Sequence, residues 1–151
     1  MQIRSAPSRN IVLHGLEATG KSAIVKALLE ELSTKPDQST DTLDDLRYAI
    51  VKSAECISGR HLLEQTIGAV ARAVDFKGSI GRCENLAQLV VEVGRLLESR
   101  ATSAEEDAGR HRLVLVFDGI DRQRDGPPTL LPALARLGEI VRKEGPVNDQ
   151  Y

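Results

Sequence analysis

The run Gly15-Leu16-Glu17-Ala18-Thr19-Gly20-Lys21-Ser22 is the stretch whose residue types and spacing point most directly to chemistry. A glycine, four free positions, a second glycine, a lysine and a serine make a phosphate-cradling loop. Gly15 and Gly20 lack a Cβ, so their backbone is free to take positive φ and to approach a ligand closely. The amides between them face a concavity that suits phosphate oxygens. Lys21 is expected on the β- and γ-phosphates, and the Ser22 hydroxyl is expected to ligate Mg²⁺. A helix starting here adds the positive end of its dipole.

A second constellation is Leu113-Val114-Leu115-Val116-Phe117-Asp118, an apolar run ending in a carboxylate. Such a strand buries its body and delivers Asp118 at its C-terminal end, where the carboxylate can hold the water shell of the Mg²⁺ that Ser22 ligates. By itself it also reads as a buried strand ending in a turn-forming Asp; beside Lys21 and Ser22 it reads as a Walker B strand. Hydrolytic proteins of the broad P-loop group follow this Asp with a Glu that activates water. Here Gly119 follows. Asp121 reads as a helix-cap or surface carboxylate in preference to a base. The site is therefore expected to bind nucleotide and Mg²⁺ with weak or absent hydrolysis, and no catalytic residue is assigned. His14, His61 and His111 have no ligand spacing. His14 reads as a packing residue, and Cys56 as buried and unreactive.

These groups need elements to position them. Ile11-Val12-Leu13-His14 reads as a short buried strand before the loop. Ile24, Val25, Leu28, Leu29 and Leu32 recur at helical spacing after it. Ser33 to Asp45 is a polar loop with Pro36, and Leu46 to Ser53 reads as a second strand. Leu63, Ile67, Val70 and Val74 predict a helix from Ser58 or Gly59, and Leu86, Leu89, Val90, Val93, Leu96 and Leu97 predict another. A last helix over Leu130 to Val141 begins near Pro127 and Pro128 and ends at Gly145 and Pro146. Strands alternating with helices make an α/β domain with a parallel sheet. Residues 1–9 read as a loose lead-in, 10–144 as the nucleotide-binding domain and 145–151 as a tail.

Composition agrees with one globular domain. The chain has 151 residues, with 41% apolar and 28% charged residues. Aromatics are only 3%, so the core must be built from Leu, Val, Ile and Ala. A formal charge of -2 gives no global electrostatic case for nucleic-acid binding. Cys56 and Cys83 have no metal-type spacing, which suits a reducing compartment. No apolar run is long enough to span a bilayer.

The order GLEATGKS, then YAIVKSAECISGRHLLEQTIGAVARAV, then LVLVFDGIDRQRDGPPTLLPALARLGEI resembles the AAA+ ATPase domain of the fifth subunit of the eukaryotic origin recognition complex. Glu55-Cys56 followed by Leu62-Leu63-Glu64-Gln65 is the most particular match, with Leu130-Leu131-Pro132 and Leu137 beside it. The resemblance runs from Asn10 to about Ile140. It implies a three-layer P-loop fold that binds ATP and Mg²⁺ at Gly15 to Ser22 and Asp118. It also implies a nuclear protein acting in replication initiation and helicase loading, with the other subunits of that complex as partners and origin DNA contacted through the assembly. In that family this subunit is thought to hold ATP structurally, and Gly119 agrees. In AAA+ domains a later strand lies between the Walker A and Walker B strands. No strand pattern follows the last helix here, so the Walker strands are expected either to pair directly or to leave edges unpaired. Sensor, arginine-finger, lid and winged-helix elements are likewise not expected within these residues. The residues alone leave two other readings open: an active P-loop ATPase or small-molecule kinase, and a nucleotide-independent interaction module.

Overall fold

The computed structural model describes residues 10–34, 45–103, 111–123 and 125–138. Its elements, in order, are α1 (Lys21–Thr34), β1 (Asp45–Lys52), a 3₁₀ turn (Ser53–Glu55), α2 (Gly59–Ala73), α3 (Leu86–Ser103), β2 (His111–Asp118), a second 3₁₀ turn (Ile120–Arg122) and α4 (Leu130–Ala135). β1 and β2 pair in parallel as a two-stranded sheet, with Asp45 opposite His111 and Lys52 opposite Asp118. The connection between them contains α2 and α3, as parallel strands require a long crossover.

The core follows from period. Ala49 and Val51 alternate on β1 and are buried. They meet α2, whose Leu62, Leu63, Ile67 and Val70 recur every three or four residues and are also buried. α3 packs against α2 and contributes Leu89, Val93 and Leu96. Burying one such Leu is worth roughly 1.5–3 kcal/mol. Thr66 lies fully inside this stripe, and its hydroxyl is satisfied by the Leu62 carbonyl at 2.7 Å.

Helix starts are chemically specified. Ser58 caps α2 by accepting from the His61 amide at 3.1 Å. Before α3, Asn85 accepts from the Gln88 amide at 2.9 Å, while the Gln88 side chain accepts from the Glu84 amide at 2.7 Å. The link between α2 and α3 is pinned by Arg95. Its guanidinium lies 5.2 Å from the Phe76 ring centroid and donates to Ser79 O at 3.0 Å and to Glu92 at 2.8 Å.

The first expected strand is not formed. Ile11 to His14 joins no ladder, and Ile11, Val12 and Leu13 are exposed. Apolar residues set a preference for extended structure, but a strand exists only where its backbone groups find a neighbouring ladder. Of the two arrangements expected for the Walker strands, the described residues show the unpaired one. His14 is correspondingly exposed, not packed. The α1 stripe is also less buried than its spacing predicts: Leu29 is covered, while Ile24, Leu28 and Leu32 are exposed. The second strand and the helices after it lie where the pattern puts them, with ends shifted by a residue or a turn. α4 ends at Ala135 with a turn at Arg136, so the single helix expected over Leu130 to Val141 is interrupted there; residues 137–138 are helical again, and the expected continuation beyond residue 138 lies outside the described residues, as do residues 1–9, 35–44 and 145–151.

Candidate nucleotide-binding site

The loop from Gly15 to Gly20 is a turn leading directly into α1, whose first bond runs from the Ile24 amide to Gly20 O at 2.9 Å. Gly20 has φ +81°, a left-handed backbone that glycine takes without steric cost. Ala18 is also left-handed, at φ 57°. Gly15 is not, and a Cβ there would stand 3.7 Å from Lys21 Cδ and Nζ, an ordinary contact distance, so neither backbone nor crowding requires a glycine at that position. Of the two glycines, Gly20 is the one that the turn itself requires.

Lys21 closes the loop on itself. Its ammonium donates to Gly15 O at 2.9 Å, to Leu16 O, and to Thr19 Oγ1 at 3.1 Å. Thr19 in turn donates to Leu16 O at 2.9 Å. These acceptors hold the ammonium against the loop beside the start of α1.

Ser22, the first residue after Lys21 on α1, donates from Oγ to Asp118 Oδ1 at 2.9 Å. Ninety-six positions separate the two in the chain. The pairing comes from α1 lying against β1, with β2 in register beside it. A hydroxyl and a carboxylate oxygen suit a hard divalent cation. Among the described residues no group of three or more His, Cys, Asp or Glu could hold a metal alone. A Mg²⁺ at this pair would complete its octahedron from phosphate and water oxygens, as that ion prefers.

Past Asp118 the backbone turns sharply. Gly119 has φ +66° and begins the second 3₁₀ turn. The usual glutamate is therefore absent for a backbone reason as well as a side-chain one: a residue with a Cβ is strained in this conformation. Asp121 is an exposed carboxylate in that turn, as expected of a surface group. The Gln123 amide, with its nitrogen turned inward, donates to Ser53 O at 3.0 Å and Cys56 O at 3.2 Å, tying this turn to the one after β1. Cys56 is half-buried, and burial followed by the nearby Glu55 pushes its thiol pKa up. Cys83 is buried and raised by the same first cause. Both thiols are held away from the reactive thiolate.

The pattern of residue types did not reveal two contacts made by the phosphate-loop segment. Arg122 forms an ion pair with Glu17 of the loop. Asn10 donates from its side chain to Ala135 O. The signal available was only a pair of opposite charges 105 positions apart, which no spacing rule connects.

A family model for an AAA ATPase domain matches residues 2–146, and the chain belongs to that family. Neither curated proteins nor solved structures yield a match to the chain. An AAA ATPase domain is a nucleotide-using module, and the α/β architecture with its small parallel sheet is consistent with a P-loop fold.

Proposed function

We propose that this AAA ATPase domain binds Mg²⁺-ATP through Gly15, Leu16, Glu17, Ala18, Thr19, Gly20, Lys21 and Ser22 together with Asp118, and holds it with little or no turnover. The observation that carries this reading is the 2.9 Å bond from Ser22 to Asp118, because it sets both expected cation ligands beside the lysine of the phosphate loop. Lys21 exchanges its loop carbonyls for phosphate oxygens, a stronger charge-assisted contact. The loop amides and the start of α1 orient the phosphates. Mg²⁺, when bound, neutralises phosphate charge between Ser22 and Asp118. No carboxylate follows Asp118 directly, so water is not polarised there and the nucleotide persists.

The finer assignment is to an ATP-binding subunit of an origin recognition complex, nuclear, working with the other subunits and reaching origin DNA through them. Its support is the resemblance carried by Glu55-Cys56, Leu62 to Gln65 and Leu130 to Pro132. In the fold these segments follow β1 and lie on α2 and α4, outside the phosphate loop itself.

Calorimetric titration with Mg²⁺-ATP tests the binding. Lys21→Ala removes the phosphate contact, and affinity is expected to fall at least about tenfold. Equal affinity for both proteins would remove Lys21 from the site. Single-turnover assays test retention: general-base assistance is worth about 10²–10⁴-fold, so hydrolysis should stay near background. Turnover that is fast and Lys21-dependent favours an active ATPase instead. Reconstitution with the remaining origin-complex subunits tests the assembly, and failure to join them would leave only the nucleotide-binding reading.

A further inference from the structure

We propose that Glu17 and Arg122 form a clasp across the phosphate loop that ATP opens and ADP leaves shut, so that Arg122 selects for the γ-phosphate. The inference rests on the nucleotide-binding reading above and deepens it.

The two residues come from opposite sides of the site. Glu17 occupies the second free position of the loop, and Arg122 ends the 3₁₀ turn that follows Asp118. Asp118 itself faces Ser22, so the same strand end that delivers the carboxylate also delivers the guanidinium. The backbone under Arg122 is held: its amide donates to Gly119 O at 3.0 Å, and the next amide donates to Ile120 O at 3.2 Å. Gln123 anchors that turn to the end of β1. The side chain of Arg122, by contrast, is exposed.

The partners are unequal competitors. Glu17 is the acidic residue of the loop, and its charge opposes any anion entering the amide concavity. Arg122 offsets that charge through its ion pair with Glu17. The pair is open to solvent, with side-chain exposures of 84% for Glu17 and 55% for Arg122. Ion pairs this exposed are weak and exchange readily. A terminal phosphate offers several oxygens and more charge than one carboxylate, in a geometry that suits the planar guanidinium fork. ADP lacks that group and leaves Arg122 on Glu17. The exchange breaks no covalent bond and moves no proton; one acceptor replaces another. Lys21 and Ser22 make comparable exchanges, but Lys21 keeps its β-phosphate contact in either nucleotide, whereas Arg122 answers to the third phosphate alone.

The test is titration of the whole chain with Mg²⁺-ATP and Mg²⁺-ADP, for wild type, Arg122→Ala, Arg122→Lys and Glu17→Gln. Loss of a charged contact to phosphate predicts that Arg122→Ala weakens ATP binding about five- to tenfold while ADP binding stays within about twofold. Arg122→Lys should recover part of the ATP preference, because the charge remains but the fork is lost. Glu17→Gln removes the competing acceptor and should raise ATP affinity about two- to fivefold, widening the ATP-to-ADP ratio. An unchanged ratio in Arg122→Ala and Glu17→Gln, with wild-type ATP binding intact, overturns the clasp and leaves the nucleotide-binding reading standing. Equal weakening of both nucleotides by Arg122→Ala also overturns it, since that is what a general structural role produces. Absence of ATP binding in the wild-type chain overturns both.

Discussion

Residues 45–103 and residues 10–34 carry similar apolar patterning, yet the first segment buries its stripes and the second does not. In α2 and α3 the residues Leu62, Val70, Leu89 and Leu96 are wholly inaccessible. In the segment holding the phosphate loop, Leu29 is the buried apolar residue among those described, and Ile11 and Val12 are 83% and 87% exposed. The first segment is held by packing. The second is held by α1 resting on β1 and by polar links: Asn10 to Ala135, Glu17 to Arg122, and Ser22 to Asp118. Packing is cooperative and hard to open locally, whereas exposed polar links open and exchange at little cost. The rigid half supplies the strand end, and the loosely held half supplies groups that must change partners when a ligand arrives.

Core truncation probes this contrast with the largest expected effect. Leu62→Ala should cost about 2–5 kcal/mol by chemical denaturation, because it opens a cavity where α2 meets the sheet. Leu28→Ala, on the exposed side of α1, should stay within about 0.5 kcal/mol. If the two cost the same, the phosphate-loop half is as tightly packed as the rest, and the contrast fails.

Gly119 stands at the boundary between the halves. Its Cβ position has space, with Ala54 Cβ at 3.6 Å, so Gly119→Ala isolates backbone strain from crowding. The left-handed conformation predicts a loss of about 1–2 kcal/mol. A neutral substitution would mean the turn after Asp118 relaxes freely, moving it to the adaptable side of the comparison.

The smallest effect is expected at Glu92, within the packed half. The hydrogen bond from Arg95 holds its carboxyl below the usual range, burial opposes that, and the Gly81 amide at 3.3 Å adds to it. A carboxyl lowered on folding contributes stability above the unfolded glutamate value and loses it as pH falls through the folded one. Glu92→Gln should therefore cost about 0.5–1 kcal/mol near neutral pH, with the difference from wild type shrinking in acid. A difference that grows on acidification would reverse the sign of the assignment.

Much of this arrangement was legible in residue order because local physics determines it. Apolar residues at period 3.6 place α2 and α3 wherever they fold, and α2 begins at Ser58, which caps it by accepting from the His61 amide. Gly20-Lys21-Ser22 puts a turn and a helix start together for reasons contained within a few residues. Asp118 was recognisable as the end of an apolar run. Other features needed the folded chain. Ile11 to His14 has a strand's composition but no ladder, since pairing depends on a neighbour that composition does not supply. Gly119 read as a missing base, and the fold adds that its backbone disfavours a side chain there. The link of Glu17 to Arg122 exists because β2 runs parallel to β1 while α1 lies against β1, bringing residues 105 positions apart into contact. Local periodicity and capping act over a turn or two of helix, whereas which exposed charges meet is decided only when the sheet sets the distance between them.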